Sequence, residues 1–97
     1  MDDDEARALI IKQSRRSILD ALKQVYPARF SFYSLRVVCA EIEERHLKAD
    51  VAYLIDKGYL VWHEPTPNMA WDRREYRLSA EGVEIADRIE VDPALTP

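Results

Sequence analysis

Two short runs of hydrogen-bond donors stand out in this 97-residue chain: Arg45-His46 with Lys48 close behind, and Arg73-Arg74. Guanidinium, ammonium and imidazole N–H groups at neighbouring positions can meet phosphate oxygens or the acceptor edges of bases. The residues that catalysis would need are placed less well. His46 and His63 are the only histidines, and neither has a cysteine or second histidine at metal-ligand spacing. Cys39 falls on an apolar helical stripe, where an inert core thiol is the expectation rather than a nucleophile. Gly58 and Gly82 are the only glycines, so there is no glycine-rich phosphate loop, and the acids are scattered. The chain therefore reads as a binding protein, not an enzyme, with no cofactor and no metal.

Charge distribution decides whether nucleic acid is an admissible partner. The net charge is −4, which taken alone opposes it. Residues 1–6 hold four acids and no base, and residues 78–97 hold five acids against Arg88. The middle, 7–77, carries thirteen Lys and Arg against nine acids, so a mildly basic centre lies between acidic ends. Local charge governs attraction to phosphate more than the total does. No apolar run is long enough to span a bilayer, and Met-Asp-Asp-Asp-Glu is unlike the basic start of a signal peptide. One cysteine excludes an internal disulfide. These features point to a soluble, cytoplasmic protein. They also point to one domain over 1–97, with a core over about 5–91, an acidic tip and a Pro-containing tail.

The elements that must position the donors follow from periodicity. A first helix is expected from about Asp4 to Gln24, with Ile11, Ile18, Leu22 and Val25 on one side and Arg15 and Arg16 on or beside that face. Leu9 and Ile10 have no place on this stripe, which makes the helix a candidate homodimer element. Tyr26-Pro27 ends it, because a residue before proline disfavours helical geometry. Ser31 is the expected N-cap of a second helix, with Leu35, Val38, Cys39 and Ile42 as its buried stripe. A further stripe, Leu47, Val51, Leu54 and Ile55, lies roughly 155° around from it at about 100° per residue. One straight helix would need two cores, so a turn is expected near Ile42–Arg45.

Gly58 should close the third helix in a left-handed cap. Tyr59-Leu60-Val61-Trp62 reads as a strand, Pro65-Thr66-Pro67-Asn68 as loop, and Arg74-Glu75-Tyr76-Arg77-Leu78 as a half-exposed returning strand. Ser79 caps a last helix with Gly82, Ile85, Ala86 and Ile89 inside, closed by Asp92-Pro93. The fold class is thus α+β, mostly α. Three helices, a two-stranded wing and a C-terminal helix are the layout of a winged helix-turn-helix.

The stretch Asp50-Val51-Ala52-Tyr53-Leu54-Ile55-Asp56-Lys57-Gly58-Tyr59-Leu60-Val61, with Glu75-Tyr76-Arg77-Leu78-Ser79-Ala80-Glu81-Gly82 downstream, resembles a pattern of bacterial winged-helix regulators. In that pattern a recognition helix is followed by a Gly-Leu-Val strand, a wing and a Leu-Thr-x-x-Gly helix. Its bearers include the multiple-antibiotic-resistance and phenolic-acid regulators, and the likeness covers roughly residues 16–90. A closer resemblance is to short single-domain winged-helix proteins of Mu-like prophages, which carry Arg-x-Ile-Leu-x-x-Leu in the first helix. Here that motif is Arg16-Ser17-Ile18-Leu19-Asp20-Ala21-Leu22. The likeness to the regulators implies double-stranded DNA as partner and a role in transcription regulation, while the prophage family, which has no established activity, implies the fold. The chain departs from the regulator pattern where Glu43-Glu44-Arg45 replaces the usual Gly or Ser/Thr before the recognition helix. Two acids there repel phosphate unless they point away.

If the third helix buries Leu47, Val51, Leu54 and Ile55, its opposite face presents Arg45, His46, Ala49 and Tyr53, with Lys48 and Ala52 at the margins. On a helix in the major groove, Arg45 would pair with guanine acceptors and Lys48 with a phosphate, while the alanines allow close approach. Tyr53 stands between two core positions, so packing competes with exposure there. Arg73 and Arg74 in the wing would reach a backbone phosphate or minor groove, one of the two at most if both are in regular strand. Met69 and Trp71 near the wing tip either fold back or meet a protein partner. DNA binding and a protein-interaction or phage-assembly module both remain open.

Overall fold

The computed structural model describes residues 2–64, 66 and 73–87. It is α+β and mostly helical: α1 (Asp3–Val25), β1 (Phe30–Ser31), α2 (Phe32–Val38), α3 (Glu44–Asp56), β2 (Leu60–His63), β3 (Glu75–Leu78) and α4 (Ala80–Asp87). Pro65, residues 67–72 and residues 88–97 lie outside the described residues. With them go most of the expected loop, the wing-tip residues Met69 and Trp71, and Ile89, Asp92-Pro93 and the tail.

Helices α1, α2 and α4 begin where a side chain satisfies an orphan backbone N–H. Asp2 accepts from the Glu5 N–H at 2.8 Å, and Asp3, Asp4 and Glu5 fill the first turn of α1, where the helix dipole favours negative charge. Ser31 Oγ accepts from the Ser34 N–H at 3.1 Å and starts α2, as expected. Ser79 Oγ accepts from the Gly82 N–H at 2.9 Å and starts α4. Glu43 precedes α3 without a side-chain capping bond. That end is held instead by the turn before it, in which the Ile42 N–H donates to the Cys39 carbonyl at 3.0 Å.

The end of α3 is a paired-bond cap. Gly58 has φ +82°, its N–H donates to the Ile55 carbonyl at 2.9 Å, and the Tyr59 N–H donates to the Leu54 carbonyl at 2.9 Å. A left-handed residue lets both bonds close, which is why glycine stands there. The chain then enters β2 directly.

The sheet is antiparallel with order β1-β3-β2, so it has three strands where two were expected. Phe30 pairs with Tyr76 and Ser31 with Glu75, while Leu60, Val61, Trp62 and His63 pair with Leu78, Arg77, Tyr76 and Glu75. A two-residue strand has no alternation to read in a sequence, and β1 escaped for that reason. The alternation expected in β3 holds, with Tyr76 and Leu78 buried and Glu75 and Arg77 half-buried.

The core is Ile18, Leu19 and Leu22 of α1, Phe32, Leu35 and Cys39 in and just after α2, Leu47, Val51 and Leu54 of α3, and Leu60, Tyr76 and Leu78 of the sheet. Two positions assigned to it lie elsewhere. Val38 is 54% exposed, because α2 is only seven residues long and its inner face is Phe32, Leu35 and Cys39. Ile11 is 42% exposed, because the buried part of α1 begins at Ser14. Phe32, absent from the expected stripe, is fully buried. The helix–turn–helix break falls at residues 39–43, slightly earlier than the expected Ile42–Arg45.

Candidate nucleic-acid interface

The surface under test is the outer face of α3. Its phase follows from the core: with Leu47, Val51 and Leu54 inside, Arg45, His46, Ala49 and Ala52 come out on the exposed side, and Ile55 is half-buried. The Arg45 side chain is 80% exposed. Spacings of three and four residues put Arg45, Ala49 and Ala52 in one line along the helix. Two alanines in that line leave room for another backbone to approach.

The acids that precede and open α3 are engaged by the cations beside them. Arg45 Nε lies 3.2 Å from Glu43 Oε2. Glu44 Oε1 lies 3.6 Å from Lys48 Nζ and 3.9 Å from Arg36 Nη1 of α2. Lys48, half-buried, also has its ammonium 5.9 Å from the centre of the Phe32 ring. All these side chains are substantially exposed, so each pair holds by at most about 1 kcal/mol and yields readily to a stronger anion. Glu43 and Glu44 thus dilute the positive potential of this helix end without locking its cations.

Tyr53 is half-buried and its ring is taken up by α1: the Arg15 guanidinium carbon stands 3.6 Å from the ring centre. Arg15 Nε also donates to Asp50 Oδ1 at 3.4 Å. Asp50 is only 6% exposed, and burial raises its carboxyl pKa while the Arg15 charge pulls the other way. This Arg15–Asp50–Tyr53 cluster fixes α3 against α1 just behind the exposed face. It was missed in the sequence, although Asp50 stands at i+3 from Leu47 and i−4 from Leu54. An acid centred on an apolar stripe needs a buried cation, and Arg15 was already placed beside the core face of α1.

The hairpin donors sit apart from this helix in the chain. Arg73 is exposed and Arg74 is half-buried, and both precede β3 rather than lie within it. Arg74 Nε is 3.8 Å from Glu64 Oε1 and its guanidinium is 5.4 Å from the Trp62 ring centre, so it braces the base of the hairpin. Arg73 is the better placed of the two to meet an external anion.

Cys39 is buried, with its thiol pushed up to about 11 by burial and then by the Glu41 charge. Among the described residues no group of three or more His, Cys, Asp and Glu is arranged to hold a metal ion. No described helix is long and apolar enough to cross a membrane. No protein-family model matches the chain, and no curated protein matches it.

Proposed function

We propose that this chain is a DNA-binding winged-helix protein that lays α3 in the major groove and acts as a transcriptional regulator of bacterial or prophage type. The observation that carries this is the exposed line of α3, with Arg45 and His46 at its N-terminal end and Ala49 and Ala52 behind them. N-terminal donors on a groove-sized helix meet base edges, and small residues admit the backbone. A helix–turn–helix pair followed by a β-hairpin, with Arg73 at the hairpin's return, supports the winged-helix assignment and a second phosphate contact.

A rival reading is supported by two features. Tyr33, Val37 and Val38 are large, apolar and exposed around the short α2, and the α3 cations are partnered by acids. A winged helix that docks to protein rather than DNA, as an interaction or assembly module, fits that combination.

Fluorescence anisotropy with fragmented source-genome DNA, titrated across salt, separates them. Affinity that falls steeply with salt, with some fragments preferred, is expected for phosphate contact plus base readout. Absence of binding even at low salt removes the DNA reading and leaves the protein-docking one.

A further inference from the structure

We infer that the N-terminal half of α1 is a self-association element, through which two copies of this chain pair their first helices antiparallel around Ile10 and Ile11. This does not rest on DNA binding and would hold for either reading above.

The helix is 23 residues long, yet no residue before Ser14 is buried. At 1.5 Å per residue the segment from Asp3 to Gln13 is about 16 Å of helix with no core beneath it. The molecule is correspondingly elongated, 45 Å against 26 and 21 Å. Three unsupported turns are marginal in water, since helices draw most of their stability from a packed apolar face. This segment has such a face. Ile11 is one heptad before the buried Ile18, so it continues the core side of α1 beyond the domain, and Ile10 flanks it at 58% exposure.

Charge selects the occupant. The tip carries Asp3, Asp4 and Glu5 against Arg7 alone. Lys12 and Arg16 stand at and just beyond the root of the segment, Arg15 beside them being taken up by Asp50 and Tyr53. Two copies side by side and parallel would set acids against acids and cations against cations. Antiparallel pairing centred on Ile10 and Ile11 brings the acidic tip of each copy level with the basic root of the other, twice over by symmetry. A two-fold interface is self-complementary in this way, each patch meeting its own other half. Two short helices bury less than the ~800 Å² per partner of a standard interface, so the dimer is weak and concentration-dependent.

Sedimentation equilibrium of the full chain, from low micromolar to near-millimolar concentration, tests this. The expected result is a mass rising from one chain towards two. Ile10→Glu with Ile11→Glu should weaken the association by about tenfold or more, because it places charges at the centre of the contact. Circular dichroism melting of the same variant should stay near wild type, since neither residue touches the core. A wild-type chain monomeric throughout overturns the inference, and so does a dimer that survives in the folded double variant. Charge reversal reads the orientation independently of those isoleucines. A tip variant (Asp3→Lys, Asp4→Lys) and a root variant (Lys12→Glu, Arg16→Glu) should each be monomeric alone and associate when mixed. Single variants that dimerise as well as wild type overturn the antiparallel arrangement.

Discussion

Gly82 lies directly against the Tyr59 backbone. A side-chain carbon on Gly82 would overlap the Tyr59 carbonyl oxygen, stand 3.0 Å from the carbonyl carbon and 3.2 Å from Leu78 Cδ2. The same carbonyl accepts from the Ser79 N–H at 3.0 Å, and Ser79 Oγ donates to the Gly58 carbonyl at 2.6 Å. The cap of α3, the start of β2 and the start of α4 are thus clasped at one point. The two glycines in the chain are both there, for different reasons: Gly58 for its positive φ, Gly82 for lack of space.

Gly82→Ala should therefore destabilise more than Gly58→Ala. The first forces backbone atoms apart, with an overpacking cost of about 1–3 kcal/mol or more. The second places a Cβ in the left-handed region at roughly 1–2 kcal/mol, with only the flexible Glu81 side chain nearby, at 3.4 Å. Urea unfolding of both variants checks the order. The reverse order would mean that α4 can move away from Tyr59 at little cost.

Helix phase is tested by a contrasting pair. Leu54→Ala should destabilise by ~2–5 kcal/mol, since Leu54 is fully buried among core residues. Val38→Ala, at an exposed position, should stay within about 0.5 kcal/mol of wild type. Comparable losses in the two would mean that α2 continues past Val38 and buries the side originally expected from its spacing.

Asp50 makes stability depend on pH in a defined direction. Its folded pKa is raised, so the folded chain keeps this proton to higher pH than the unfolded chain, whose carboxyl titrates near ~3.9. Folding then binds a proton across that window, and the Asp50 contribution falls as pH rises from the unfolded value through the folded one. Unfolding midpoints of wild type and Asp50→Asn, compared from acid to neutral pH, should show wild type losing ground to the variant as pH rises. Wild type gaining instead would show that Arg15 outweighs burial. At neutral pH, Arg15→Ala should cost more than Asp50→Asn, because it leaves a buried carboxylate without its cation.

The Cys39 thiol, raised from 9.0 to about 11, should resist alkylation in the folded chain. Two units of pKa alone lower the thiolate fraction by about 100-fold at mildly alkaline pH, before restricted access is counted. Iodoacetamide labelling with and without urea measures the ratio. Equal rates would place the thiol on the surface.

What could be read in advance was whatever repeats along the chain. The long α1, the α3 stripe, the Gly58 cap and the Ser79 cap each leave a pattern several residues long and stand where the spacing puts them, while the turn before α3 falls slightly earlier. β1 leaves none, because pairing across 45 residues of sequence, Phe30 with Tyr76, has no local signature. Spacing alone puts Val38 inside, but a helix of seven residues is too short for its stripe to fix the phase, and burial of Phe32 and Leu35 turns Val38 outward. At the candidate site the exposed line of α3 was legible from the core stripe on its other side. The partners of its cations were not. Whether Glu43 and Glu44 turn away or fold back onto Arg45 and Lys48 depends on side-chain torsions that no periodicity constrains.

Those two acids supply the sharpest test of the proposed interface. If Arg45 and Lys48 contact DNA, Arg45→Ala and Lys48→Ala should weaken binding with little effect on melting temperature, and a lost phosphate contact should lower the salt slope by about one unit. Glu43→Gln with Glu44→Gln should act oppositely, because it releases Arg45 and Lys48 from their pairs at 3.2 and 3.6 Å and removes two like charges from the path of the phosphates. Affinity for DNA should rise, most clearly at low ionic strength where screening is weakest. Protein docking predicts a different outcome, since acids that contact a partner cannot be neutralised without loss. Tighter DNA binding in the glutamine variant, set against weaker binding in the alanine variants, would assign α3 to the groove. DNA affinity unmoved by all four substitutions would take the interface off this helix.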